Sequence, residues 1–113
     1  NEINARIASC EKFAKKHSIT ILLKGQEDII TNDDVTYTNS TLTPCMTVGG
    51  TGDILSGLTA GFLSRNKNVI ESASAATFVN GVAGEILQKE FGNHILASDL
   101  ISTLPKVLNS FNN

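Results

Sequence analysis

The chain has 113 residues, 41% hydrophobic and 18% charged, with a formal net charge of −2. That size suits one small domain or a piece of a larger one, in the composition range of an ordinary globular protein. No basic stripe is present to meet nucleic acid, and no apolar run approaches the ~20 residues of a spanning helix, so neither nucleic acid nor a membrane is an expected partner. Cys10 and Cys45 stand far apart, with no CxxC and no clustered histidines. This argues against a disulfide scaffold or zinc site and fits a reducing cytoplasm. His17 and His94 are lone histidines with no partner pattern. The sequence opens on Asn1 and passes directly into a helical pattern. A fragment, a cleaved product and a chain whose N-terminal part lies elsewhere are all open readings.

Ile3, Ile7, Cys10 and Ala14 recur at helical spacing, and Lys15 and Lys16 sit in the last turn, where the helix dipole favours cations. The pattern predicts an amphipathic helix over residues 3–16, ended by His17 and Ser18. Ile19-Thr20-Ile21-Leu22-Leu23 is a nearly continuous apolar run. Such a run reads as a strand buried on both faces, and after a helix it suggests a parallel sheet with helical cover. Lys24 and Gly25 follow at the carboxyl end of that strand, where open α/β sheets bind ligands. A solvated lysine before a turn glycine reads the same way.

From Asp28 to Thr38 the residues alternate around Asn32-Asp33-Asp34, predicting a β-hairpin with an Asn/Asp turn. Residues 39–43 are a polar approach segment, and Pro44 fixes an extended or turn conformation behind it. After Asp53, the residues Ile54, Leu55, Leu58, Phe62 and Leu63 form a helix face. Gly57, Ala60 and Gly61 lie between them, small enough for close packing on a neighbour. A second helix is predicted over 69–91, with Asn80 and Gly81 interrupting its apolar side. The polar Asn80 either makes a local hydrogen bond or touches a base. Gly92-Asn93 stops that helix. Ser98 or Asp99 is expected to cap a third, carrying Leu100, Ile101, Leu104, Val107, Leu108 and Phe111, which Pro105 should kink or split.

The chain is organised around Thr47-Val48-Gly49-Gly50-Thr51-Gly52-Asp53-Ile54-Leu55-Ser56-Gly57, with four glycines in nine positions. Glycines let the backbone turn tightly and let a ligand approach it. Where this loop enters the helix, the first N–H groups have no internal partner and the dipole's positive end lies behind them, which makes an anion site. Asp53 at its edge adds an acid or base, so the loop reads either as a phosphoryl-transfer site or as a glycine-rich turn capped by Asp. It is no Walker A loop, because Asp53 stands where Lys is needed. It is no dinucleotide fingerprint, because Leu55 stands where the third glycine belongs.

Gly50-Thr51-Gly52-Asp53 resembles the Gly-x-Gly-Asp signature of the ribokinase-like superfamily. The longer stretch from Pro44 to Gly57 is similar to the signature of the ADP/ATP-dependent NAD(P)H-hydrate dehydratases, the YjeF C-terminal group. Leu22-Leu23-Lys24-Gly25-Gln26-Glu27-Asp28 resembles that family's lysine-glycine segment, and Ala97-Ser98-Asp99-Leu100-Ile101 with Leu104-Pro105 resembles its C-terminal helix. The family often has glycine where Cys45 stands. Its domain is considerably longer, so the resemblance implies that residues 1–113 are the C-terminal portion of a single three-layer αβα ribokinase-like domain.

The function implied by the resemblance is repair of hydrated NADH and NADPH (NADHX, NADPHX). ADP or ATP phosphorylates the ring hydroxyl with Mg2+ bridging the phosphates, and phosphate then leaves. In that reading Asp53 is the catalytic base and contacts the substrate. Lys24, Gly25, Gln26, Glu27, Asp28, Thr43, Pro44, Cys45, Met46, Thr47, Val48, Gly49, Gly50, Thr51 and Gly52 bind the nucleotide. No residue is expected as a direct protein ligand of a metal. The family also implies a homo-oligomer, a tetramer being the form suggested. Two alternatives stay open: a ribokinase-like vitamin or sugar kinase, and a truncated, non-catalytic nucleotide-binding module.

Overall fold

Asn1 opens the first helix, its Oδ1 accepting the Asn4 N–H at 2.9 Å. Helix α1 runs Glu2–His17 and closes on Ser18, whose left-handed φ of 53° carries its N–H back to the Ala14 carbonyl. The computed structural model describes residues 1–41 and 43–111; Leu42, in the expected polar segment, lies outside the described residues. Strands β1 (Ile21–Leu23), β2 (Asp28–Thr31) and β3 (Thr36–Asn39) form a sheet in that order.

Both pairings are antiparallel, with Leu22 opposite Ile30 and Ile30 opposite Tyr37. The expected parallel pairing is therefore not what β1 makes with β2. Only Lys24, Gly25, Gln26 and Glu27 join the two strands, whereas a parallel crossover needs a dozen residues or more. The hairpin turn follows the Asn/Asp chemistry, since Asn32 Oδ1 accepts the N–H groups of Asp34 and Val35, each at 2.8 Å.

All four residues of β2 are buried. Ile30 packs with Leu22 of β1 and with Ile70 and Ala73 of the third helix, α3 (Val69–Phe91). Ile29 and Thr31 point to the opposite face by strand alternation. There Thr36 Oγ1 bridges Thr31 Oγ1 and the Glu11 carboxylate of α1. The sheet thus has α1 on one face and α3 on the other, the three-layer order expected.

Helix α2 (Thr51–Arg65) begins two residues before Asp53, and α3 has the predicted bounds, its N-terminus capped by Asn68 Oδ1 on the Glu71 N–H at 3.0 Å. Helix α4 (Ala97–Ser110) departs from expectation at its start and runs unsplit through Pro105. Its N-cap is Leu96, and Asp99 serves from inside the first turn by accepting the Leu96 N–H at 2.7 Å. Pro105 does not split it: Pro105 and Ile101 are both exposed, so the carbonyl that proline leaves unpaired can meet water. Phe111 falls just beyond the helix and stacks on Phe78.

The main core joins these helices through Val79, Ala83, Leu87, Ile95, Leu100 and Val107, and includes Cys45 and Met46. The small residues of α2 do not all bring it close to a neighbour, since a Cβ at Gly57 or Gly61 would meet nothing within 4 Å.

Candidate functional site

Three segments build the site: the β1–β2 turn, a single 3-10 turn at Pro44–Thr47, and the loop from Val48 into α2. Gly50 makes the loop possible. It is the N-cap of α2 with φ 97°, a conformation side chains rarely adopt. Its back rests on α4, so that a Cβ there would lie 2.9 Å from Ala97 Cβ. Gly49 and Gly52, in contrast, face open space.

The first helical hydrogen bond of α2 is donated by Ile54 to the Gly50 carbonyl at 3.1 Å. Among the described residues the N–H groups of Thr51, Gly52 and Asp53 have no partner, and the helix dipole stands behind them. The loop thus presents three backbone donors at a helix start, a geometry suited to an anion, with an exposed carboxylate, Asp53, in the first helical turn. The side chain of Thr51 turns inward instead. It is buried, and its hydroxyl lies 3.0 Å from the Met46 carbonyl and 3.2 Å from that of Val48, tying the start of α2 to the 3-10 turn.

A cleft of about 530 Å³ opens between the β1–β2 turn and the 3-10 turn, lined by Lys24, Gly25, Gln26, Thr43, Pro44, Met46 and Thr47. All seven are among the residues expected on the nucleotide side. Lys24 also lines a groove with Gly52 at the head of α2, so the residue borders both the cleft and the start of that helix. Glu27 faces a neighbouring hollow with Arg6 and Ser40.

Asp28 is buried beneath the turn, accepting the Gly25 N–H at 3.1 Å and the Asn39 amide at 3.5 Å. The Arg6 guanidinium reaches the Lys24 and Glu27 carbonyls from outside, at 3.5 and 3.4 Å. Cys45 is buried, with its thiol 3.4 Å from the Gly84 carbonyl. Asn80, read from sequence as a local hydrogen bonder or a base contact, is buried, and its Oδ1 has no partner among the described residues.

A profile of the NAD(P)H-hydrate dehydratase family matches residues 2–106. The chain belongs to that family. It is 50% identical over 111 residues to the ADP-dependent (S)-NAD(P)H-hydrate dehydratase of Nitrosopumilus maritimus, covering 98% of this chain and 39% of that protein. It is 46% identical over 109 residues to a bifunctional NAD(P)H-hydrate repair enzyme of Pyrobaculum aerophilum, covering 96% of this chain and 22% of that one.

In structure it is similar to the ADP/ATP-dependent NAD(P)H-hydrate dehydratase of Bacillus subtilis co-crystallised with ATP/Mg2+. The TM-score is 0.88 at 28% identity, over 95% of this chain and 39% of that one. A ribokinase-like superfamily protein of Enterococcus faecalis gives a TM-score of 0.83 at 29% identity, over 92% of this chain and 36% of that one. The α/β fold is thus that of ribokinase-like dehydratase domains. The chain spans about two-fifths of the length of the first of these relatives.

The sequence reading missed what holds the cleft wall in place. Gly84 of α3 gives Met46 its seat, since a Cβ there would come within 2.7 Å of Met46 Cγ and Sδ. The apolar side of the helix over 69–91 is legible in the sequence, but not what it receives. Gly84→Ala should force Met46 from its seat and lower stability by about 1–3 kcal/mol, the range for overpacking. Denaturant unfolding checks it, and an unchanged midpoint would show that Met46 finds room elsewhere.

Proposed function

We propose that residues 1–113 form the C-terminal portion of a single ribokinase-like domain that dehydrates NADHX and NADPHX with ADP or ATP. The observation that carries this reading is the arrangement around α2. Three unpaired N–H groups lie behind an exposed Asp53, beside a lysine-edged cleft, in a chain half identical to a dehydratase over nearly its whole length.

In this reading Lys24, Gly25, Gln26, Glu27, Thr43, Pro44, Met46 and Thr47 surround the nucleotide, and Lys24 faces its phosphates. Gly49, Gly50, Thr51 and Gly52 give backbone to the transferring phosphoryl group, where preorganised donors aimed at developing charge are the largest catalytic term. Asp28, Cys45 and Val48 shape the walls. Asp53 takes the proton of the ring hydroxyl as its oxygen attacks phosphorus and the nucleotide's bridging P–O bond breaks. The C–O bond to the new phosphate then breaks, and loss of phosphate and a neighbouring ring proton restores the double bond.

Among the described residues no three His, Cys, Asp or Glu side chains gather as a metal set. A Mg2+ brought in with the nucleotide would supply charge neutralisation at its phosphates, on the side of the cleft edged by Lys24.

The remaining three-fifths of such a domain would cover the free edge of β1 and the groove of Leu22, Leu55, Thr59, Ala60 and Leu63. Leu23 and Ile19 stand exposed beside that edge, although their apolar run reads as a strand covered on both faces. A homo-oligomer, a tetramer, in the cytoplasm completes the reading; no described helix is long and apolar enough to cross a membrane.

The test is an assay of the full-length protein with NADHX or NADPHX, Mg2+ and either ADP or ATP. Release of inorganic phosphate together with recovered NADH absorbance is the expected result. A stable phosphorylated product would make the protein a kinase, and nucleotide binding without turnover would make it a non-catalytic module.

A further inference from the structure

The 3-10 turn Pro44–Thr47 forms one wall of the cleft, yet its own sequence leaves its start uncapped. Thr43 is the N-cap and makes no side-chain cap hydrogen bond. Pro44 has no N–H to offer, and the Met46 N–H already reaches the Thr43 carbonyl at 3.0 Å. The Cys45 N–H is thus the orphan donor at the head of the turn, in a residue only 1% exposed. A buried donor left unpaired is costly, so something must take it.

Its partner comes from α3, far away in sequence. Gln88 Oε1 accepts the Cys45 N–H at 2.9 Å. Gln88 lies one turn after Gly84, so one strip of α3 both seats Met46 and caps the turn. The amide's orientation is fixed from its other end, where Gln88 Nε2 donates to Asn93 Oδ1 at 3.0 Å. With the NH2 committed to Asn93, the carbonyl oxygen is the atom that faces the turn.

We infer that Gln88 is a positioning residue for the nucleotide cleft, a cap supplied from another element that holds Pro44–Thr47 in its cleft-forming conformation. The inference rests on the dehydratase reading for the identity of the ligand. Gln88 touches no reacting atom, and its effect passes through the backbone of Cys45 to the wall made by Pro44, Met46 and Thr47. A loosened wall must be ordered again when nucleotide binds, which lowers affinity; the Thr51 hydroxyl keeps a second acceptor outside the turn, the Val48 carbonyl at 3.2 Å, so the start of α2 stays anchored.

Gln88→Leu removes the acceptor, and Gln88→Asn keeps a polar amide one methylene short of the Cys45 N–H. Gln88→Glu keeps an acceptor, and Asn93 can turn its amide to donate to it. In the full-length protein, Q88L and Q88N should raise the KM for ADP about tenfold, the effect of one lost buried hydrogen bond, with kcat within about twofold. The Cys45 amide should exchange with solvent at least about tenfold faster in both. Q88E should return both readings close to wild type.

A Q88N protein whose exchange is faster but whose KM is unchanged would reduce Gln88 to a structural cap and overturn the inference. So would unchanged exchange in an active protein, or failure of Q88E to restore. A wild-type protein with neither ADP affinity nor turnover would overturn the dehydratase reading itself, and the nucleotide role of Gln88 with it.

Discussion

Asp53→Asn should lower turnover of NADHX by about 10²–10⁴-fold, the range that a positioned general base contributes. The substitution is nearly isosteric and touches nothing that holds the fold, since Asp53 is exposed in the first turn of α2. Its one structural cost is the loss of a favourable carboxylate–dipole interaction, about 0.3–1 kcal/mol. Nucleotide binding should survive. The N–H groups of Thr51, Gly52 and Asp53 are backbone groups and remain in place, and removing a negative charge beside phosphates can only favour the anion. The expected signature is therefore a collapse of kcat with an ADP dissociation constant that is unchanged or tighter. Steady-state kinetics and calorimetry on the same preparation read the two quantities. Near-normal turnover in the variant would take the base role away from Asp53 and leave it as a helix-end carboxylate.

What the sequence discloses here is mainly local. The bounds of α3 are legible because Asn68 caps its start and Gly92 ends it, and the hairpin because Asn32 folds its own turn. The glycine run marks the turn into α2, because Gly50 takes a φ of 97° that side chains rarely adopt, and the N–H groups of the first helical turn follow it. Tertiary arrangements are illegible for the same reason. Only the four-residue connection Lys24 to Glu27 declares that β1 turns back antiparallel, against the parallel reading that the apolar run invites.

Asp28 reads as an acid beside a candidate ligand site, yet it is buried under the turn that it folds. Thr51 reads as part of a phosphate loop, yet its hydroxyl faces the 3-10 turn behind it. Gln88 carries no sequence signal, because its partner, the Cys45 N–H, is brought to it by the packing of Met46 on Gly84. Pro105 stays within α4, because exposure of that helix face lets the chain absorb a lost hydrogen bond.

Gly50→Ala should damage both stability and binding, because one methyl group meets two obstacles at once. The backbone at φ 97° is strained for any residue with a Cβ, a cost of about 1–3 kcal/mol. The new Cβ would also lie 2.9 Å from Ala97 Cβ, at the first residue of α4. Loop and helix cannot both stay where they are. If Gly50 relaxes toward negative φ, the N–H groups of Thr51 and Gly52 rotate away from the direction in which they would meet a phosphate. If α4 withdraws instead, Leu100, fully buried three residues on, is drawn out of the main core.

The first route predicts a modest loss of stability with nucleotide affinity lowered about tenfold or more, since donors aimed at a phosphate lose strength steeply as they misalign. The second predicts a larger drop in the denaturation midpoint with the loop's affinity largely kept. The double variant G50A/A97G separates them, because removing the Ala97 methyl relieves the contact and leaves the backbone strain. Partial recovery of the midpoint without recovery of ADP affinity is the expected result, placing the binding defect in the dihedral of Gly50. Full recovery of both would show that the contact with α4, rather than the left-handed turn, is what requires glycine at this position.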